Sequence, residues 1–265
     1  MNLIQHYRTL WHYLRHRYEG NEYDGMRTYF AALLVEDLRL DFGISLRNLE
    51  VLEVGGSSGR FSAYFSETCR ARCVNVEIED MRRVPDRFAT TIQADGTSLP
   101  VRSESFDLVL SRGVIEHVPR ERQLALVQEC YRALKPGGHC LINTQPWYAP
   151  FAGHQLRPFH ILPFAIAKLL SNLAKSSHIE GDSLEEIDPP LYPITMRRLH
   201  SMVQDAGFTV LGTKDYHFRM HFVTKLPWLR EVLTQSISYV TQKRSNGALP
   251  AAARQLATAA LSPSA

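Results

Sequence analysis

Val51-Leu52-Glu53-Val54-Gly55-Gly56-Ser57-Ser58-Gly59-Arg60-Phe61 is an apolar run broken by one acid, then a Gly/Ser turn, then the start of a helix. Small residues at such a turn let the backbone approach a ligand closely and aim the amides of a helix N-terminus at it. The turn alone fits any nucleotide-binding βαβ unit, so its neighbours must specify it. Glu77 follows Gly59 by 18 residues and ends a second apolar run, Val74-Asn75-Val76-Glu77, where an acid accepts hydrogen bonds from both hydroxyls of a ribose. Asp95 ends a third run in Gln93-Ala94-Asp95-Gly96, and Ser105-Phe106-Asp107-Leu108-Val109-Leu110-Ser111 supplies a fourth. Four strand ends with polar residues place a ligand in one crevice of an open α/β sheet. A nicotinamide-dehydrogenase turn would read G-x-G-x-x-G, and the last glycine here arrives one residue early, at Gly59.

Outward from the turn, residues 49–143 alternate short apolar runs with helix-period segments, the pattern of βαβ units. It predicts strands at 49–54, 72–77, 90–94, 106–111 and 139–143. Pro119 is read as opening a helix on which Leu124, Val127, Tyr131 and Leu134 share a face, and Lys135-Pro136-Gly137-Gly138 as ending it. Residues 1–48 read as a helical cap broken at Gly20-Asn21, with Leu3, Tyr7, Leu10 and Leu14 at helical spacing and Arg8, Arg15 and Arg17 as its charges. Residues 144–194 interrupt the alternation with prolines, an amphipathic stretch from Ile161 to Leu173 and an acidic loop, a length that usually signals function. Thr195 is placed as the N-cap of a helix closed by Gly207, with strands at 208–213 and 237–243 and a flexible tail from 244 to 265. The fold class is α/β: a doubly wound, Rossmann-like, seven-stranded, mostly parallel sheet with an antiparallel last strand and a helical cap. The main domain spans 49–243 on this reading.

The 265 residues are 45% hydrophobic and 22% charged, which excludes a disordered, collagen-like or disulfide-scaffold protein. A net charge of +3 gives no case for a nucleic-acid partner. Cys69, Cys73, Cys130 and Cys140 lack paired spacing and read as buried free thiols rather than a zinc site. No apolar run is long enough to span a bilayer and no signal arrangement opens the chain, so cytoplasm is the expected compartment.

The succession of Leu52-Glu53-Val54-Gly55, Glu77, Ala94-Asp95 with Leu99-Pro100, Phe106-Asp107-Leu108-Val109, Ile115-Glu116-His117-Val118 and Leu134-Lys135-Pro136-Gly137-Gly138 resembles the class I S-adenosylmethionine-dependent methyltransferases, specifically the type 11 small-molecule group. The resemblance implies S-adenosylmethionine as cofactor. Gly55, Gly56, Ser57 and Gly59 would pack against its methionine part, with Glu53 holding the turn and the ammonium region. Glu77 would bind the ribose, Ile78 would cover the adenine, and Asp95 with Gly96 would meet the adenine edge. Ser111 and Arg112 would line the methionine moiety beside the acceptor. Ser57 departs from the group, which usually has glycine there.

Methyl transfer to an alcohol needs an aligned acceptor, a dry site and a general base. The base candidates are His117, His154 and His160. Some relatives hold a divalent metal near Glu116, but the residue three before it is Gly113 rather than an acid, so no metal is expected. Trp147, Tyr148, Phe151 and Phe159 would wall the acceptor or pack the insertion. The expected activity is O-methylation of a small-molecule, glycan or lipid-linked acceptor, with peripheral membrane contact through the 163–173 stretch. The alternative is a non-catalytic cofactor-binding or scaffolding protein of the same fold.

Overall fold

A computed structural model describes residues 6–9, 11, 20–79, 81, 83–85, 87–150, 152–174, 178–215, 221–226 and 228–245. Leu3, Leu10, Leu14, Arg15, Arg17, Phe151 and the tail beyond Ser245 lie outside them. The chain order is α1 (Gly20–Phe42), β1 (Glu50–Val54), α2 (Arg60–Cys69), β2 (Arg72–Glu77), β3 (Ala89–Gln93), β4 (Phe106–Arg112), α3 (Gln123–Ala133) and β5 (Leu134–Thr144), then α4 (Phe164–Ala174), α5 (Met196–Asp205), β6 (Phe208–Lys214), α6 (His221–Thr224), α7 (Leu229–Leu233) and β7 (Ile237–Lys243).

The seven strands form one sheet in the order β3-β2-β1-β4-β5-β7-β6. β1 to β5 run parallel, and β7 lies antiparallel between β5 and β6. Alternate side chains of a doubly covered strand feed opposite layers. In β1, Leu52 and Val54 join a core with α3 and α5 residues such as Val127 and Leu199, while Val51 joins Leu34, Leu38 and Phe65 beneath α1 and α2. α1 therefore covers one sheet face, and its helical cap role follows from that apolar contact.

Three local readings change. Gly20 and Asn21 belong to α1 instead of breaking it. Leu134 to Gly138 open β5 instead of ending a helix: Leu134 pairs with Phe106, a register shift follows between Phe106 and Leu108, and the Lys135 ammonium bonds the Asp107 carboxylate at 2.8 Å. Glycines that suggest a helix stop here serve an irregular strand entry. Pro119 begins a turn, its carbonyl accepting from the Arg122 N–H at 2.8 Å, and the helix proper starts at Gln123.

The insertion carries its own small core of Leu156, Ala167, Ile179, Ile187 and Leu191, against which Phe159 packs. The four cysteines are free and buried. Among the described residues no helix is long and apolar enough to cross a membrane.

Candidate active site

The strand order reverses between β1 and β4, and there the glycine turn leaves the carboxyl end of β1. Gly55 has φ 74, and a Cβ on it would sit 2.1 Å from Val114 Cγ2. A Cβ on Gly56 would meet Asn75 Oδ1 at 2.4 Å and Glu53 Cδ at 2.8 Å. The turn thus presents bare backbone because its own surroundings leave no room for side chains. Asn75 Oδ1 accepts from the Gly56 N–H at 3.1 Å, and Glu53 Oε2 accepts from the Ser62 N–H at 3.1 Å and from the Ser62 hydroxyl. Burial raises the Glu53 carboxyl above its ordinary value; the Ser62 hydroxyl, Arg112 and Arg27 pull it back.

A cavity of about 240 Å³ opens at this turn, with Glu53, Gly55, Gly56 and Phe61 from the β1 side and Arg112, Gly113 and Glu116 from the β4 side. Asn143 and Ser236 contribute from β5 and the segment before β7, while Met26, Arg27 and Phe30 close it from α1. The Arg112 guanidinium lies 3.9 Å from the Phe61 ring centroid, and Arg27 Nη1 stands 3.4 Å from both the Gly56 carbonyl oxygen and Ser58 Oγ. One acid between two guanidiniums suits an α-amino acid end group, which carries one charge of each sign.

Arg27 was not among the expected residues. It comes from a separate helix with no sequence periodicity linking it to the turn. Glu53, Gly55, Gly56 and Arg112 line the cavity as expected. Ser57, Gly59, Glu77, Ile78, Asp95, Gly96 and Ser111 stand outside its lining. Ser57 has φ 52 and gives its N–H to Glu77 Oε2 at 2.7 Å, while Glu77 Oε1 accepts from the Ile78 N–H at 3.0 Å. Each oxygen keeps a lone pair for a sugar hydroxyl. The segment after β2 folds over the turn, with the Arg83 N–H donating to the Ser58 carbonyl at 3.1 Å and Val84 lying against Gly59. Ile78 is exposed. Asp95 accepts from the Thr97 N–H at 2.8 Å and pairs with Arg122 at 2.9 Å; Gly96 fits between Val54 and Leu126. Ser111 Oγ is buried with no hydrogen-bond partner among the described residues.

Three histidine candidates have three environments. His160 Nε2 donates to the Trp147 carbonyl at 2.8 Å and its ring packs edge-on against Trp147, beside Gly153 and outside the lining of the cavity. His117 Nδ1 lies 2.7 Å from the Pro190 carbonyl, which can only accept, so in the neutral ring Nδ1 carries the proton and Nε2 offers the lone pair. His154, with φ 45, lines the main cavity, and its Nε2 is buried with no partner among the described residues. Burial, with His117 and Arg157 beside it, pushes His154 down to about 4, so the ring is neutral near neutrality. Glu116 is buried, accepts from the Thr144 hydroxyl at 2.9 Å, and is raised by burial against the pull of His117.

A second, smaller chamber of about 10 Å³ shares Glu116, Gln145 and His154 with the main cavity and is walled by Trp147, Leu191 and Tyr192. Of the expected aromatic wall, Trp147 alone lines it among the described residues; Tyr148 is exposed at a separate surface groove and Phe159 packs the insertion.

Residues 52–142 match a methyltransferase domain family. The chain is 30% identical over 212 residues to an uncharacterized methyltransferase of Mycobacteroides abscessus, spanning 76% of this chain and 79% of that protein. It is 31% identical over 242 residues to one of Mycolicibacterium paratuberculosis, spanning 85% of this chain and 90% of that protein. A solved structure, an S-adenosylmethionine-dependent methyltransferase of Mesorhizobium loti, shares the fold at TM-score 0.51 and 17% identity, covering 75% of this chain and 92% of that one. A mostly parallel sheet with its antiparallel seventh strand, a bare-backbone turn at the switch point and relatives of nearly its full length agree: the chain belongs to the class I S-adenosylmethionine-dependent methyltransferases.

Proposed function

We propose that this enzyme methylates a hydroxyl oxygen of a small-molecule, glycan or lipid-linked acceptor, with His154 as the group that receives the acceptor's proton. The observation that carries this is the buried, unpartnered Nε2 of His154 at the wall shared by the two cavities. Glu53, Gly55, Gly56, Ser57 and Gly59, with Ser111 and Arg112 and with Arg27 added, are assigned to the methionine end of S-adenosylmethionine. Glu77, Ile78, Asp95 and Gly96 are assigned to the adenosine end. The cavity fits the first assignment by its charge pattern and by a turn that admits no Cβ. The lone pairs left on Glu77 support the second.

When bound, the cofactor supplies an electrophilic methyl on a sulfonium. The chain's task is alignment and desolvation. The neutral His154 ring would receive the hydroxyl proton as the acceptor oxygen takes the methyl group. Glu116, buried against Thr144, and the Pro190 carbonyl on His117 fix the neighbours of that ring. His154→Ala is expected to lower kcat by about 100-fold, the lower end of general-base contributions, with cofactor Kd unchanged. Unchanged turnover by methyl-transfer assay would refute the assignment.

A lipid-linked acceptor draws support from α4. It buries Ala167 and Ser171 and leaves Ile166, Leu169 and Leu173 exposed beside Ile161. That apolar face lies on the insertion that also walls the smaller chamber, as expected of an amphipathic helix resting on a lipid surface.

A further inference from the structure

We propose that Glu116, His117 and His154 form a site for a first-row divalent cation of the zinc type, open toward the cofactor cavity. This rests on the O-methylation reading above and replaces free His154 by His154 as a ligand. One donor atom from each of the three residues lies within 4.8 Å of the others, and the two imidazoles meet edge to face with centroids 4.7 Å apart. Glu116 and His117 come from the turn after β4, whereas His154 is delivered from the insertion; Gly113, the position three before Glu116, contributes nothing.

Two features separate this cluster from a chance meeting. Its members have outer partners that orient ligands: the Pro190 carbonyl takes the proton of His117 Nδ1 at 2.7 Å and leaves Nε2 as donor, and the Thr144 hydroxyl holds Glu116 Oε2 at 2.9 Å. Carbonyls and hydroxyls in such places fix the tautomer of a ligating histidine and the direction of a ligating carboxylate. Yet among the described contacts none of the three hydrogen-bonds another, as a proton relay would require. His154 Nε2 is instead buried without a partner, an arrangement that costs stability unless something fills the place. The chamber of about 10 Å³ bounded by Glu116 and His154 is the size of one water-sized sphere.

Two imidazoles and one carboxylate select zinc, iron, cobalt or nickel over magnesium or calcium. Donors about 2.0–2.1 Å from a tetrahedral ion stand about 3.3 Å apart. The widest of these separations must therefore close by up to about 1.5 Å on binding. Three protein ligands leave a position free for the acceptor. Both Glu116 and His154 also line the main cavity, so that position faces the place where the methyl group is presented. The ion, if bound, would hold the acceptor oxygen and acidify its hydroxyl, whose proton would leave to solvent through the open cavity rather than to the ligated His154. The acceptor class follows: a molecule offering one hydroxyl oxygen as the fourth ligand.

The test uses the full chain, stripped with chelator and titrated with Co²⁺ by visible absorption and with Zn²⁺ by calorimetry. One equivalent is expected to bind with a tetrahedral d–d band. Glu116→Gln, His117→Ala and His154→Ala should each weaken binding more than about tenfold, and Thr144→Val by about tenfold through the outer contact. S-adenosylhomocysteine titration checks that each variant folds, and Glu116→Gln keeps the test open if a histidine variant does not. Absence of stoichiometric binding to the wild-type chain, or unchanged affinity in Glu116→Gln and the folded histidine variants, overturns the site. If the metal fails to bind while His154→Ala still lowers turnover, the site falls and the base reading stands. If the metal binds but His154→Ala leaves turnover intact, the site stands and the His154 base reading falls.

Discussion

Ser57 accepts a left-handed backbone, φ 52, at the second position past Gly55. A side chain with a Cβ costs about 1 kcal/mol there, and the Glu77 carboxylate holds the residue in place through its N–H. Ser57→Gly removes that cost without touching the hydrogen bond, so the thermal midpoint is expected to rise and S-adenosylhomocysteine to bind at least as tightly. A lower midpoint by calorimetry would show that the serine side chain stabilises the turn. The polar residues at strand ends were legible in the sequence because parallel strands bring their carboxyl ends together. That Glu77 would bond Ser57, and that His154 would stand beside Glu116, was not legible. Both depend on loops whose path no periodicity records.

At the scale of elements, the last turn of α3 fastens the loop between β3 and β4. Arg132 donates to the Val101 carbonyl at 2.8 Å and the Leu99 carbonyl at 2.9 Å, and its Nε bonds Glu129 Oε1 at 2.8 Å; Glu129 Oε2 accepts from the Leu99 N–H at 2.8 Å. The hydrogen bond from Arg132 holds the Glu129 carboxyl below its ordinary value of 4.5, outweighing its partial burial. A depressed folded value means stability that is present above the unfolded value and is lost as pH falls through the folded one. Urea midpoints of wild type and Glu129→Gln should therefore differ at neutral pH and converge as pH falls through the lowered Glu129 value. A gap that stays constant with pH would remove the carboxylate from the account. All seven strands were readable from short apolar runs between helix-period segments. The entry to β5 was misread because Gly137-Gly138 carries the same local signal in a helix stop and in an irregular strand start.

Across the whole molecule, sheet and cap divide the work. The parallel strands and the turn after β1 were legible because their chemistry is local. The rest of the cavity is built by α1, the end of β5, the insertion and the segment before β7, far apart in sequence, which is why Arg27, Asn143 and Ser236 entered only with the structure. The exposed face of α4 belongs to this scale too. Co-sedimentation with vesicles of mixed neutral and anionic phospholipid should retain the wild-type chain and lose Leu169→Glu/Leu173→Glu; equal pelleting of both would detach the helix from membranes.

The central claim is that the cavity at the end of β1 holds S-adenosylmethionine against bare backbone at Gly55 and Gly56. Calorimetric titration of S-adenosylhomocysteine into the wild-type chain and Gly56→Ala tests it most directly. The account predicts one site in the wild type and more than about tenfold weaker binding, roughly 1.4 kcal/mol, in the variant, whose Cβ would press on Asn75 and Glu53. No binding to the wild type, or equal affinity in a folded variant, would contradict it.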